Sequence, residues 1–225
     1  MSEKNRLKRT GGGSGGRPPR TSASGGEPAG PVRGYTKISQ AAKAFGFDFR
    51  NKVILDIGSS TGGFTQFALA HGAKRVIAIE KGTNQMQIPL RYDPRIELHE
   101  KTDIFEVGSF DVATKSNVRI RIDAPDIVLA DVSFISLTKV LEYVIKNISH
   151  PRTQFLVMLK PQFEAAPSDL HKGIVKNEKI RRRLIKNFEL WLKQNNLLII
   201  KKHDNDLAGK HGNTERFYWL TIAKR

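Results

Sequence analysis

The chain has 225 residues, 38 Lys and Arg against 22 Asp and Glu, a formal net charge of +16 and an isoelectric point near 10.2. That length fits one domain plus a tail, and the charge attracts polyanions, nucleic acid before anionic lipid. Cysteine is absent, which excludes disulfides, cysteine-ligated zinc and thiolate nucleophiles, and no apolar run is long enough to cross a bilayer. A protein of the cytoplasm, with no membrane association, is the expectation.

Residues 1–34 contain GGGSGG, RPPR and SASGGEPAGP and almost nothing that can be buried. Such a segment cannot offset its ordering entropy and should be a disordered basic arm, either a linker or a strand that brushes a nucleic-acid backbone. It lacks amphipathic periodicity, so organelle import is not expected. From residue 35 to 225 the pattern is that of one folded domain.

A helix is expected through Ile38 to Phe45, then strand Val53 to Ile57, a helix from Gly63 to Ala70, and strands Val76 to Glu80 and Ile96 to Glu100. Residues 106–124 have no clear assignment, although Val118 to Ile122 alternates like a strand. Strand Ile127 to Ala130, helix Leu137 to Ile145 and strand Phe155 to Leu159 follow. Apolar strands separated by helices predict an α/β protein with a mostly parallel, doubly covered sheet.

The clearest helix runs from Glu178 to Asn195: Asn177 can cap it, and Ile180, Leu184, Phe188, Trp191 and Leu192 recur on one face. Lys179, Arg181, Arg182 and Lys186 lie off that stripe. Two strand-like runs, Leu197 to Lys202 and Phe217 to Ile222, close the chain, and their short connection favours an antiparallel pair at the end of the sheet.

Val53 to Thr65 reads VILDIGSSTGGFT, a buried strand, a glycine-lined turn and a helix start. Gly58, Gly62 and Gly63 would let backbone approach a nucleotide-like ligand. Asp56 lies at the carboxyl end of the strand, where open α/β sheets bind ligands. Ser60 occupies the second glycine of a G-x-G-x-x-G spacing, which disfavours a dinucleotide, and no P-loop pattern is present. An adenosyl ligand without pyrophosphate, such as S-adenosylmethionine, fits better. Glu80 is placed to accept from both ribose hydroxyls, Asp103 to read the adenine amino group. Lys81, Asp131, and Ser59, Thr61 and Phe64 of the turn complete the expected cofactor set. The histidines show no metal-ligand spacing, and no metal is expected.

The text LDIGSSTGGFT, then ADVSFISL at Ala130 to Leu137, LKPQFE at Leu159 to Glu164, HKGIV, and GNTERFYWL resembles the FtsJ-like ribose 2′-O-methyltransferases. Within them it is similar to the TlyA or haemolysin A branch, over Arg33 to Arg225. The resemblance implies a Rossmann-like methyltransferase fold: a mostly parallel seven-stranded sheet with one antiparallel strand and helices on both faces. It also implies a Lys-Asp-Lys-Glu tetrad around the reactive ribose, carried here by Lys37, Asp131, Lys160 and Glu215. Tyr35 and Thr36 stand where the family usually has a glycine and an apolar residue. That branch usually opens with an S4-type RNA-binding domain, where this sequence has the Gly/Arg arm. RNA, above all ribosomal RNA, is the implied partner, and DNA is not.

A lysine with an ordinary pKa near 10.4 is neutral in only about one molecule in a thousand at pH 7.4. Desolvation and the nearby Lys37 would lower the pKa of Lys160 and make it a base; alternatively it stays charged and stabilises the developing alkoxide. Asp131 would orient it, and Glu215 would position Lys37 or the ribose. Pro161 to Asn177 forms a loop long enough to close over the site, with His171, Lys172 and Gly173 within reach of a ligand. The competing readings are a non-catalytic RNA-binding or assembly factor of the same fold and a membrane-active haemolysin.

Overall fold

The computed structural model describes residues 33–112, 118–205 and 212–223. The expected arm lies outside the described residues except for Arg33 and Gly34, which already belong to the first helix, α1 (Arg33–Phe45). Five residues earlier than expected, α1 thus begins ahead of Lys37. Its Ile38, Ala41, Ala42 and Phe45 recur at helical spacing and are all buried.

Five strands run parallel in spatial order β3 (Ile96–His99), β2 (Arg75–Ile79), β1 (Val53–Ile57), β6 (Ile127–Ala130) and β7 (Gln154–Leu159). Beyond β7 come β9 (Arg216–Ile222), antiparallel to both neighbours, and the edge strand β8 (Leu197–Asp204). The seven-stranded sheet with one reversed strand is therefore as expected.

The strand alternation explains the layers. Leu55, Ile57, Val128, Phe155 and Val157 pack with α3 (Leu137–Asn147) and α5 (Glu178–Gln194) on one face. On the other, Ile54, Ile127, Leu129, Leu156 and Phe217 pack with α1 and α2 (Gly63–Ala70). With both faces covered, β1, β6 and β7 must be apolar almost throughout, which is why they read as continuous runs.

Some expectations shift. Glu80 and Glu100 lie just past β2 and β3 rather than inside them. The unassigned stretch contains a second, two-stranded parallel sheet, β4 (Val107–Ser109) with β5 (Ile120–Ile122), sealed against α3 by Tyr143, whose hydroxyl donates to the carbonyls of Phe105 and Val107. The expected loop after Lys160 holds a short helix, α4 (Pro161–Glu164), and a 3-10 turn at Pro167–Asp169. In α5, Asn177 caps as expected by accepting from the amide of Lys179 at 2.9 Å, while Ile185 joins Leu184, Phe188 and Leu192 in the core and Ile180 is only half-buried.

Candidate active site

Strand order reverses between β1 and β6, and a ligand crevice belongs at the carboxyl ends of strands flanking such a switch point. A cavity of about 580 Å³ opens there, between the ends of β1, β2 and β6. Its apolar walls include Ile57, Ile79, Ile104 and Val140, and its polar groups include Ser60, Glu80, Asp103 and Asp131. That is the size and mixed lining of a small-molecule site.

The turn after β1 is built by backbone donors. Glu80 accepts from the amide of Ser60 at 2.8 Å and from that of Gly82 at 2.6 Å, tying the first turn to the second. Lys81 reaches across to Asp103 at 3.0 Å, and Asp103 also accepts from the amide of Phe105 at 3.3 Å. Beneath the turn, Asp56 accepts from the Thr65 hydroxyl at 2.6 Å and is fully buried on the α2 side of the sheet, away from the cavity. Burial pushes its carboxyl up to about 7, and the charges of Asp131 and Glu80 add to that shift, against the Thr65 hydrogen bonds.

Of the twelve residues expected at the cofactor, Gly58, Ser60, Glu80, Lys81, Asp103 and Asp131 line the cavity. Phe64 does not: its ring is in the core, 6.0 Å from that of Phe217. Asp56, Ser59, Thr61, Gly62 and Gly63 are also outside the cavity lining, Thr61 exposed and the other four buried. The glycines also serve chain packing. A Cβ on Gly63 would lie 2.7 Å from the Cα of Gly34, so α1 could not cross α2 there. One on Gly58, at φ +76°, would lie 3.1 Å from the Asp131 carbonyl oxygen.

Beyond β6 the edge is built by ion pairs. Lys160 sits 2.6 Å from Asp131 and donates to the Ser133 hydroxyl at 2.8 Å. Lys37, brought in by α1, pairs with Glu215 at 2.6 Å, and both are buried. Leu159 faces Arg216 in the antiparallel β7/β9 register, so the next step outward sets Lys160 opposite Glu215. Four residues spread over 178 positions of sequence thus share one end of the sheet.

Sequence reasoning passed over several neighbours, although all lie inside the quoted motifs. Ser133 holds Lys160. Phe134 is 92% exposed with φ +62°, and its ring lies 5.2 Å from that of Phe163, over which the Lys160 ammonium sits at 5.8 Å. Glu164 accepts from the Ser136 hydroxyl at 2.6 Å and the Leu137 amide at 2.7 Å, which caps α3 and joins the two loops bearing Asp131 and Lys160.

The fold and cavity define a doubly wound α/β protein with a small-molecule site at its switch point, flanked by paired lysines. The profile of the family described as FtsJ-like methyltransferase matches residues 31–221, and the chain belongs to that family. Membership implies S-adenosylmethionine as methyl donor. The lining fits it: apolar walls suit an adenine, and three carboxylates suit ribose hydroxyls and a cationic sulfonium.

The chain is 35% identical to Hemolysin A of Brachyspira hyodysenteriae over 69% of its own length and 61% of the relative's. It is 33% identical to the 23S rRNA (cytidine-2′-O)-methyltransferase TlyA of Campylobacter jejuni, over 83% of this chain and 69% of that protein. A candidate hemolysin of Streptococcus thermophilus has a solved structure that superposes with a TM-score of 0.77 at 29% identity, covering 89% of this chain and 70% of that one. The match thus spans less than two thirds of the Brachyspira relative's length. Among the described residues no helix is long and apolar enough to cross a membrane.

Proposed function

We propose that the protein transfers a methyl group from S-adenosylmethionine to a ribose 2′-hydroxyl of RNA, with ribosomal RNA the substrate class, and that Lys37, Asp131, Lys160 and Glu215 carry the reaction. The observation behind this reading is the pair of lysine–carboxylate contacts, each 2.6 Å, of which Lys160–Asp131 reaches the cavity through Asp131 and Lys37–Glu215 meets the neighbouring strand end. The relative named for cytidine-2′-O methylation of rRNA supports the substrate.

When bound, S-adenosylmethionine supplies an electrophilic methyl carbon on a sulfonium. Glu80, Asp103 and Ser60 bind its adenosyl part in the cavity. Ser133 accepts a hydrogen bond from the Lys160 ammonium and Asp131 stands 2.6 Å from it as counter-ion, which leaves ammonium N–H groups for the 2′ oxygen, where they stabilise negative charge as the hydroxyl proton passes to water. Of the two roles open to Lys160, the ion pair thus supports the electrostatic one. The Lys37–Glu215 pair is buried, and it orients the ribose. Phe134, exposed beside Lys160, offers a face on which the target base stacks.

The test is tritiated methyl transfer to purified ribosomal RNA, run with Lys160→Arg and Lys160→Ala. Arginine keeps the charge but cannot accept a proton. Substantial activity in Lys160→Arg with none in Lys160→Ala supports the electrostatic role, and equal loss in both assigns Lys160 as base. Wild-type activity in Lys160→Ala would remove it from the mechanism.

A further inference from the structure

Two loops meet beside Glu215. Asn213, buried two residues ahead of it, accepts from the Val175 amide at 3.0 Å and donates to the Gly173 carbonyl at 3.2 Å. His171 and Ile174 close the same loop with paired backbone hydrogen bonds of 2.9 and 3.0 Å. The result is a short fixed loop that holds Lys172 and Lys176 exposed next to the tetrad. It runs directly into α5, where Lys179, Arg182 and Lys186 continue along the solvent side at spacings of three and four residues. Lys179 and Lys186 are about 10 Å apart along the axis.

Charge pairing neutralises several other basic residues of the surface, whereas Lys52, Lys74 and Arg152, at the amino ends of the strands, also lack a carboxylate partner among the described residues, so the place of this line beside Glu215 is what sets it apart. Arg50 is matched to Asp48, Arg95 to Asp93, Arg119 to Glu106 and Lys146 to Glu142. Lys172, Lys176, Lys179 and Lys186 have no carboxylate partner among the described residues, and Arg182 shares Glu178 with Arg181. The other carboxylate of α5, Glu189, is turned to Lys202 and the Tyr218 hydroxyl. Asp169, in the preceding loop, is held by Arg183 at 2.7 Å. Nearby anions are thus engaged, and the lysines are left with net positive charge facing water.

We propose that Lys172, Lys176, Lys179, Arg182 and Lys186 form a track for the phosphate backbone of the RNA strand that flanks the methylated ribose, with Asn213 fixing the start of the track against the tetrad. This rests on the RNA reading above. A row of lysines beginning at the catalytic edge and leading away from it holds a strand by its backbone whatever its sequence, and so sets where the strand lies while the site selects the ribose.

The experiment measures binding of purified ribosomal RNA to the full chain over a salt series, with S-adenosylmethionine affinity measured on the same preparations. Replacing Lys172, Lys176, Lys179 and Lys186 together by Ala should lower the log-log salt slope by about 3, at about 0.7 per single-strand phosphate contact, and weaken binding on the order of 100-fold near physiological salt. Cofactor affinity should be unchanged, which also reports an intact fold. A control with as many cations removed at the amino-terminal ends of β1, β2 and β7 and on α3 (Lys52, Lys74, Arg152 and Lys146, all to Ala) should keep the wild-type slope to within about 1. Equal slopes for the track variant and the wild type would overturn the track, as would an equal loss in the control. Should the wild type transfer no methyl to RNA yet show the track-dependent slope, the methyl-transfer reading falls and the track stands.

Discussion

The two halves of the ligand edge hold their carboxylates in different ways. On the β1–β2 side, Glu80 accepts from two backbone amides and Asp56 from the Thr65 hydroxyl, and Asp103 alone has a lysine, the exposed Lys81 at 3.0 Å. On the β6–β7–β9 side, Asp131 and Glu215 each face a lysine at 2.6 Å. Backbone donors fix a geometry without adding a mobile charge, which suits a half that binds a cofactor of constant shape. Ion pairs place cations where charge develops, which suits a half that does chemistry. The proposed function assigns binding to the first half and reaction to the second, and single substitutions should separate them.

The largest effect should come from the reactive half. Lys160→Ala should lower kcat about 100- to 1000-fold, while S-adenosylmethionine affinity by calorimetry stays within about twofold. Parallel loss of cofactor binding would dissolve the distinction between the halves. Next, Glu215→Ala strands the buried Lys37 without its partner and should cost about 3–5 kcal/mol in urea unfolding, whereas Lys37→Met with Glu215→Leu should recover most of the loss without recovering activity.

On the binding side, the carboxyl of Asp56 titrates at about 7 in the fold and at about 3.9 in an unfolded chain. The folded state therefore binds this proton more tightly, so its contribution to stability is complete below pH about 4 and is lost as pH rises through 7. Asp56→Asn removes the ionisation, and its Tm should fall less than the wild type's between pH 5 and 8. An identical pH profile would show that Asp56 does not titrate there. The smallest effect on stability should be at Phe134, whose φ of +62° strains any side chain. Phe134→Gly should raise stability by about 1 kcal/mol and raise the KM for RNA about tenfold, because the stacking face is lost.

Much of this fold was legible because its strands are covered on both faces. β1, β6 and β7 are continuous apolar runs, and Asn177 announces α5 one residue ahead of it. β4 is not legible, since its three residues leave no periodicity to count, whereas the alternation of Val118 to Ile122 does mark β5. The start of α1 was misplaced because RGYT offers no apolar stripe: it is helical through Gly34 packing against Gly63, a contact between residues far apart in sequence.

The site divides in the same way. Asp131 and Lys160 follow apolar strands and sit at their ends in the sequence itself. Lys37 and Glu215 carry no local signal, and only resemblance to a family brought them together. Motif membership does not say which way a side chain points, and Phe64, inside the glycine-turn motif, points into the core. Ser133 and Glu164 were overlooked for the same reason: their value lies in the hydrogen bonds they make across loops.

The central claim is that this edge methylates a ribose hydroxyl. Its most direct test is to treat purified ribosomal RNA with the protein and methyl-labelled S-adenosylmethionine, hydrolyse it with alkali, and locate the label. Label in alkali-resistant dinucleotides, absent when Lys160→Ala replaces the wild type, is the predicted result. Label on a base, or in wild-type and variant alike, would contradict it.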